Sequence, residues 1–196
     1  ESKDNTKHFL EVYKKNGSLP EQELGSEGRG LKAYCDAETI AELGSGVSLE
    51  SFVTAHLKRA HAGDYIAMLD YVQETPEHEE LIQAIRAHLR DALRVATTTG
   101  YGPRFLHSTG QLHKGGPPSG VFIQVTADNA GDVPLPGEAF TFGVLKQAQA
   151  LGDFQSLASR RRRAIRVHLG EDVAAGLRIL LEIVRSGFPI AQGQTR

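Results

Sequence analysis

The chain has 196 residues, 40% of them hydrophobic, which suffices for one domain with a real core, and a formal net charge of −2 that gives no reason to propose nucleic acid or a membrane surface as a partner. A single cysteine, Cys35, excludes an internal disulfide framework and makes a reducing cytoplasm the default compartment. No apolar run approaches the length of a membrane span.

The chain opens on Glu1 inside a helical pattern, so it reads as the tail of a longer polypeptide. Asn5 to Lys15 puts Phe9, Leu10, Val12 and Tyr13 on one side of a helix that Gly17 would close. Ser18 to Arg29 is polar and rich in Gly and Glu, a loop on this reading; residues 1–30 are thus a helix and a polar loop continuing from an upstream domain. Leu31 to Cys35 is a short candidate strand, and Ser48 caps a helix with Phe52, Val53, Leu57 and Ala60 inward. Asp64 to Val72 is an apolar run of strand length. Thr75-Pro76 then opens the strongest helix, a cap followed by proline at the first helical position. Its buried stripe is Leu81, Ile82, Ile85, Leu89, Ala92 and Leu93.

Val121 to Thr126 and Ala164 to Leu169 are two further strands, separated by a helix that starts at Thr141. Asp172 caps a closing helix through Val173, Leu177, Leu180 and Val184, and 191–196 reads as a flexible tail. Strands alternating with helices predict an α/β fold over 31–190, a three-layer sandwich around a mostly parallel sheet of about four strands.

Gly100 to Gly120, GYGPRFLHSTGQLHKGGPPSG, breaks this regularity. Core packing does not call for such a concentration of glycine, proline, histidine and cationic residues. Glycines let backbone run close to a ligand and expose its N–H groups, so a functional loop is the favoured reading. Ser108, Thr109, Gln111, His113, Lys114 and Arg104 supply the donors that a phosphorylated sugar requires. Since the loop follows a helix and precedes a strand, it should lie opposite the carboxyl ends of the strands, where α/β sheets bind ligands.

The run LHSTGQLHKGG followed by GVFIQVT resembles bacterial glucose-6-phosphate isomerases, in which a Leu-His-Ser motif ending in Gly-Gln precedes a strand. Gly137–Gly152 looks like the Tyr-Thr-Phe-Gly helix of the same enzymes, and the opening ESKDNTK is similar to the segment holding their active-site lysine, which matches Lys3. The C-terminal part of the bifunctional transaldolase/glucose-6-phosphate isomerase fusions is similar over most of the chain. The resemblance implies a sugar-isomerase-like fold and interconversion of glucose 6-phosphate and fructose 6-phosphate through an enediol, without a cofactor. It implies catalytic roles for Lys3 and His107 and substrate binding by Ser108, Thr109, Gln111, His113 and Lys114. The implied partners are the sugar phosphate and the upstream isomerase and transaldolase domains of one polypeptide, with homo-oligomerisation left open. The alternative is a non-catalytic sugar-phosphate-binding or scaffolding domain packed on the isomerase module.

The chain departs from the family at the base. Val95 to Arg104, where a catalytic glutamate is expected, contains no carboxylate, so the base must come from elsewhere. Other residues have plainer readings. His107 and His113 lack a third partner at metal-ligand spacing, so no metal is expected. His56, His61, His78 and His88 fall on helix surfaces or ends. His168 and Gln124 read as structural strand residues, and Cys35 as a small core side chain. Arg160 to Arg163 can bind phosphate or an acidic surface, but reads first as a solvated helix end favoured by the dipole. A nucleophile elbow and a dinucleotide fingerprint are both missing, and about four strands cannot make the barrel a transaldolase needs.

Overall fold

The computed structural model describes residues 2–102 and 108–190. Helix α1 (Ser2–Asn16) leads to the hairpin β1 (Leu24–Gly28) and β2 (Leu31–Tyr34), then to α2 (Ala37–Leu43) and α3 (Leu49–Leu57). Next come β3 (Tyr65–Tyr71), α4 (Pro76–Leu93), β4 (Ala96–Tyr101) and α5 (Ser108–Gly115). The chain closes through β5 (Gly120–Thr126), α6 (Phe142–Ala158), β6 (Arg163–His168) and α7 (Val173–Gly187). None of these helices is long and apolar enough to cross a membrane.

The strands form one six-stranded sheet in the order β1-β2-β6-β5-β3-β4. The last four are mutually parallel, while β2 runs antiparallel to β6 and to β1. The α/β expectation and the mostly parallel sheet hold; six strands replace the expected four. The additions are β1, inside the stretch expected to be a loop, and β4, which takes in the first two residues of the glycine-rich segment. Residues 1–30 therefore contribute a strand to the sheet rather than only a helix and loop. The tail 191–196 lies outside the described residues.

Helices cover both faces. On one side α6 packs against α1 and α5; on the other α4 packs against α7, and α7 against α3. Every residue of β5 is buried, as its apolar run requires for a strand covered on two faces. Phe52, Phe122, Ile66, Ile82 and Leu89 are among the largest fully buried side chains, each worth about 1.5–3 kcal/mol in transfer from water. The helix caps follow the sequence: Ser48, Thr75, Thr141 and Asp172 each accept from the backbone N–H three residues on. Helix α1 lies close on α6 because Gly152 has no side chain; a Cβ there would sit 2.9 Å from Thr6 Oγ1. Asn5 Nδ2 fastens the contact by donating to Gly152 O at 3.3 Å and Ser156 Oγ at 3.1 Å.

Candidate functional site

The order of the parallel strands reverses between β3 and β5. From β3 the chain moves outward to β4, then returns across β3 to reach β5. Such a reversal opens a crevice beyond the carboxyl ends of the two strands. A 270 Å³ cavity occupies that position, between Val72 and Gln73 after β3 and the 127–133 turn after β5, with His78, Lys146 and Glu171 at its walls. Asp132 fixes the turn over the start of α6: Thr141 Oγ1 donates to its Oδ2 at 2.5 Å, and Gly143 N and Val133 N donate to Oδ1 at 2.7 and 2.9 Å. The Thr141 hydroxyl leads in holding its carboxyl below the usual range.

The glycine-rich segment begins at this same edge, which corrects the expectation that it lies opposite. Because Ala96–Tyr101 is a strand, the segment leaves the carboxyl end of β4, descends through α5 and reaches the amino end of β5 at Gly120. A single motif therefore spans both ends of the sheet. His107 lies outside the described residues, as does Arg104; Ser108 opens α5, with its side chain outside the described set. Thr109 and Gln111 are exposed. Thr109 lines a 440 Å³ cavity together with Glu74, Glu79, Gln83, Gly100 and Tyr101.

The other end of α5 is occupied by structural contacts. His113 is 4% exposed, its Nδ1 is 2.8 Å from the Tyr65 hydroxyl, and its ring packs edge-on against Phe122. Burial, helped by the neighbouring Lys114 charge, pushes its imidazole down to about 4, so the ring is neutral near pH 7. Lys114 forms an ion pair with Asp153 of α6, whose side chain is 1% exposed. Burial raises the Asp153 carboxyl and the Lys114 ammonium pulls it back. Lys3 stands exposed at the start of α1, beside Ser2, whose hydroxyl meets Ser156 Oγ of α6 at 3.0 Å. It is not among the residues that line the Thr109 cavity. The structure thus brings Thr109 to two carboxylates and separates it from His113, Lys114 and Lys3.

Four features escaped the sequence reading. His56 is fully buried and its Nε2 lies 3.0 Å from Phe122 O, correcting its placement on a helix surface. Spacing held the signal: Phe52, Val53, His56 and Leu57 fall on one helical face. The arginine cluster is not simply a solvated helix end. Arg162 Nη2 donates to Lys114 O and Gly116 O at 2.8 and 2.6 Å, and Arg163 donates to Arg59 O and Pro118 O at 2.6 and 3.0 Å and pairs with Asp64 at 2.8 Å. These two side chains tie together the loops at the amino ends of the strands. Asp70 is fully buried in β3, and Thr99 Oγ1 donates to its Oδ2 while Oδ1 has no partner among the described residues. Burial drives its carboxyl up to about 7 against the pull of the Thr99 hydroxyl, with Glu79 adding to the rise. The glutamates beside Thr109 come from the β3–α4 connection and the first turn of α4, so local sequence around the motif gives no hint of them.

His168 and Gln124 keep structural partners as expected. His168 Nδ1 lies 3.1 Å from Thr126 Oγ1 and its Nε2 lies 3.3 Å from Asp128, while Gln124 Nε2 donates to Ala150 O at 2.9 Å. Cys35 is buried, and desolvation pushes its thiol up to about 12, far from nucleophilic.

No family model matches the chain, and no curated protein matches it either. Among solved structures, the crystal structure of a hypothetical protein from Thermus thermophilus shares the fold at a TM-score of 0.61 and 15% identity. The match takes in 76% of this chain and 41% of that one, so the chain spans less than half the length of its structural neighbour. At that identity the likeness shows the α/β fold alone.

Proposed function

We propose that this chain is the C-terminal portion of a glucose-6-phosphate isomerase module, interconverting glucose 6-phosphate and fructose 6-phosphate, in a polypeptide that also carries a transaldolase. The motif similarity of the 100–120 and 137–152 segments supports the reading. The observation that carries it is the sharing of one cavity by Thr109, from the heart of the motif, with Glu74 and Glu79. Isomerisation through an enediol needs a carboxylate to take the C2 proton and return it at C1, with fixed donors beside the enediolate oxygen. The cavity offers both residue types at the carboxyl end of β4, which supports Glu79 in the role of the carboxylate that 95–104 lacks. In this reading Lys3 serves a site completed by the rest of the polypeptide or by a second copy.

A second reading, a sugar-phosphate-binding or scaffolding domain without catalysis, draws on the engagement of His113 and Lys114 by Tyr65 and Asp153. The separating experiment measures isomerisation in the longer polypeptide with Lys3→Ala and with Glu79→Gln. Loss of turnover in both, with thermal stability unchanged, is the expected result. Full turnover in both variants would sink the catalytic reading and leave the scaffold.

A further inference from the structure

A separate cavity of 390 Å³ opens between the 19–22 segment, the hairpin, the end of β6 and α6. It lies on the far side of the sheet order from β4, so it is distinct from the cavity beside Thr109. Its cationic side chains are Arg166 and Lys32. Register explains why they converge. Arg166 pairs with Tyr34 across β2–β6, and Lys32 pairs with His168 two positions along, so all four side chains share one face.

Arg166 is the anomaly. Its guanidinium stacks 4.3 Å over the Tyr34 ring, yet its Nε is buried with no hydrogen-bond acceptor, and no described carboxylate pairs with it. A sequestered guanidinium N–H without an acceptor is costly, and the stacking addresses only the face of the group. Burial brings its pKa down to about 10, which leaves the charge in place at neutral pH. His168 does not compete as a cation, because burial holds its imidazole below the usual value and both ring nitrogens are engaged by Thr126 and Asp128. Glu21 is the one carboxylate among the lining residues, and it is exposed at the rim.

The rest of the lining indicates what accompanies the anion. Leu19, Pro20 and Leu151 give apolar walls, and Gln147 adds a partly exposed polar side chain. The volume greatly exceeds the need of a bare phosphate ion. We propose that this cavity binds a small organic phosphate bearing hydroxyl groups, with the outer guanidinium nitrogens of Arg166 as the main phosphate contact, Lys32 closing the mouth and Gln147 of the lining meeting a hydroxyl. The proposal stands apart from the isomerase reading, since it uses none of the residues beside Thr109.

The test is isothermal titration of the chain at low ionic strength with inorganic phosphate and with fructose 6-phosphate, repeated on Arg166→Met, Lys32→Met and Glu79→Gln. A saturable event is expected that favours the sugar phosphate over inorganic phosphate. Arg166→Met should weaken it about 10- to 100-fold, as befits one charge-assisted contact, while Glu79→Gln reads separately any fructose 6-phosphate bound beside Thr109. Lys32→Met alters an exposed residue, keeps the fold and should weaken binding about 2- to 5-fold. If Arg166→Met does not fold, the Arg166 Nε–H resonance of the wild type, followed by NMR, should move on addition of inorganic phosphate. A folded wild type that binds neither ligand overturns the proposal. So does affinity that Arg166→Met and Lys32→Met leave unchanged. Fructose 6-phosphate binding lost only in Glu79→Gln would overturn this site and leave the isomerase reading standing.

Discussion

Replacing Asp70 by asparagine should stabilise the protein, and increasingly so as pH rises. Asp70 is buried in β3 with one hydrogen bond, from Thr99, and its carboxyl titrates near 7 instead of 3.8. The folded state therefore holds a proton that the unfolded chain releases. Its contribution is fully present below pH 3.8, declines as pH rises, and is lost above about 7. Integrated between pH 5 and pH 8, a shift of that size removes about 2–3 kcal/mol from the wild type. The asparagine side chain keeps the shape and the bond from Thr99, and its amide protons cost about 1–2 kcal/mol at any pH where they lack an acceptor. The advantage of Asp70→Asn over wild type should therefore grow by about 2–3 kcal/mol from pH 5 to pH 8 and level off beyond, equivalent to roughly 5–10 °C in Tm for a domain of this size. Urea unfolding at several pH values reads the difference directly. A difference that does not change with pH would refute the argument, because it would mean that Asp70 titrates as an ordinary surface carboxylate.

Lys114→Met should cost about 3–5 kcal/mol, since it leaves the carboxylate of Asp153 buried and unpaired, and Asp153→Asn added to it should restore most of the loss; denaturant unfolding of the single and double variants checks both. Gly102→Ala places a methyl 2.5 Å from the Tyr71 ring and should destabilise by about 1–3 kcal/mol, visible as a fall in Tm. His56 and His113 are pushed down by burial to about 3 and about 4 from an ordinary 6.5. Both are neutral in the fold while the unfolded chain takes up protons, so stability is present above pH 6.5 and falls as the solution is acidified toward pH 4. His113→Gln should flatten that slope; an unchanged slope would mean that His113 titrates normally.

What could be read from the sequence divides along physical lines. Strands β3 and β5 were legible because strands buried on both faces are written as near-continuous apolar runs, while β6 showed through Ala164, Ile165 and Val167 set among polar residues. Helix α4 announced itself through Thr75-Pro76. By contrast β1, Leu-Gly-Ser-Glu-Gly, has no strand composition; it forms because β2 presents an unpaired edge, and its Ser26 is buried by donating to Val47 O at 2.7 Å. The threonines of β4 did carry a β-branched signal, masked by the glycines that follow. Asp36 capping α2 by accepting from Thr39 N was also readable. The Thr109 cavity was out of reach, because its glutamates are remote in sequence and meet the motif only when β4 pairs with β3.

Among the described residues, the side-chain ties of helix α5 gather at one end. Its carboxyl end is moored by Lys114 to Asp153 and by Arg162 to two carbonyls, while Thr109 at the other end stands in an open cavity. Lys114 thereby joins α5 to α6, the helix against which α1 packs, so the motif and the segment that carries Lys3 bear on the same helix.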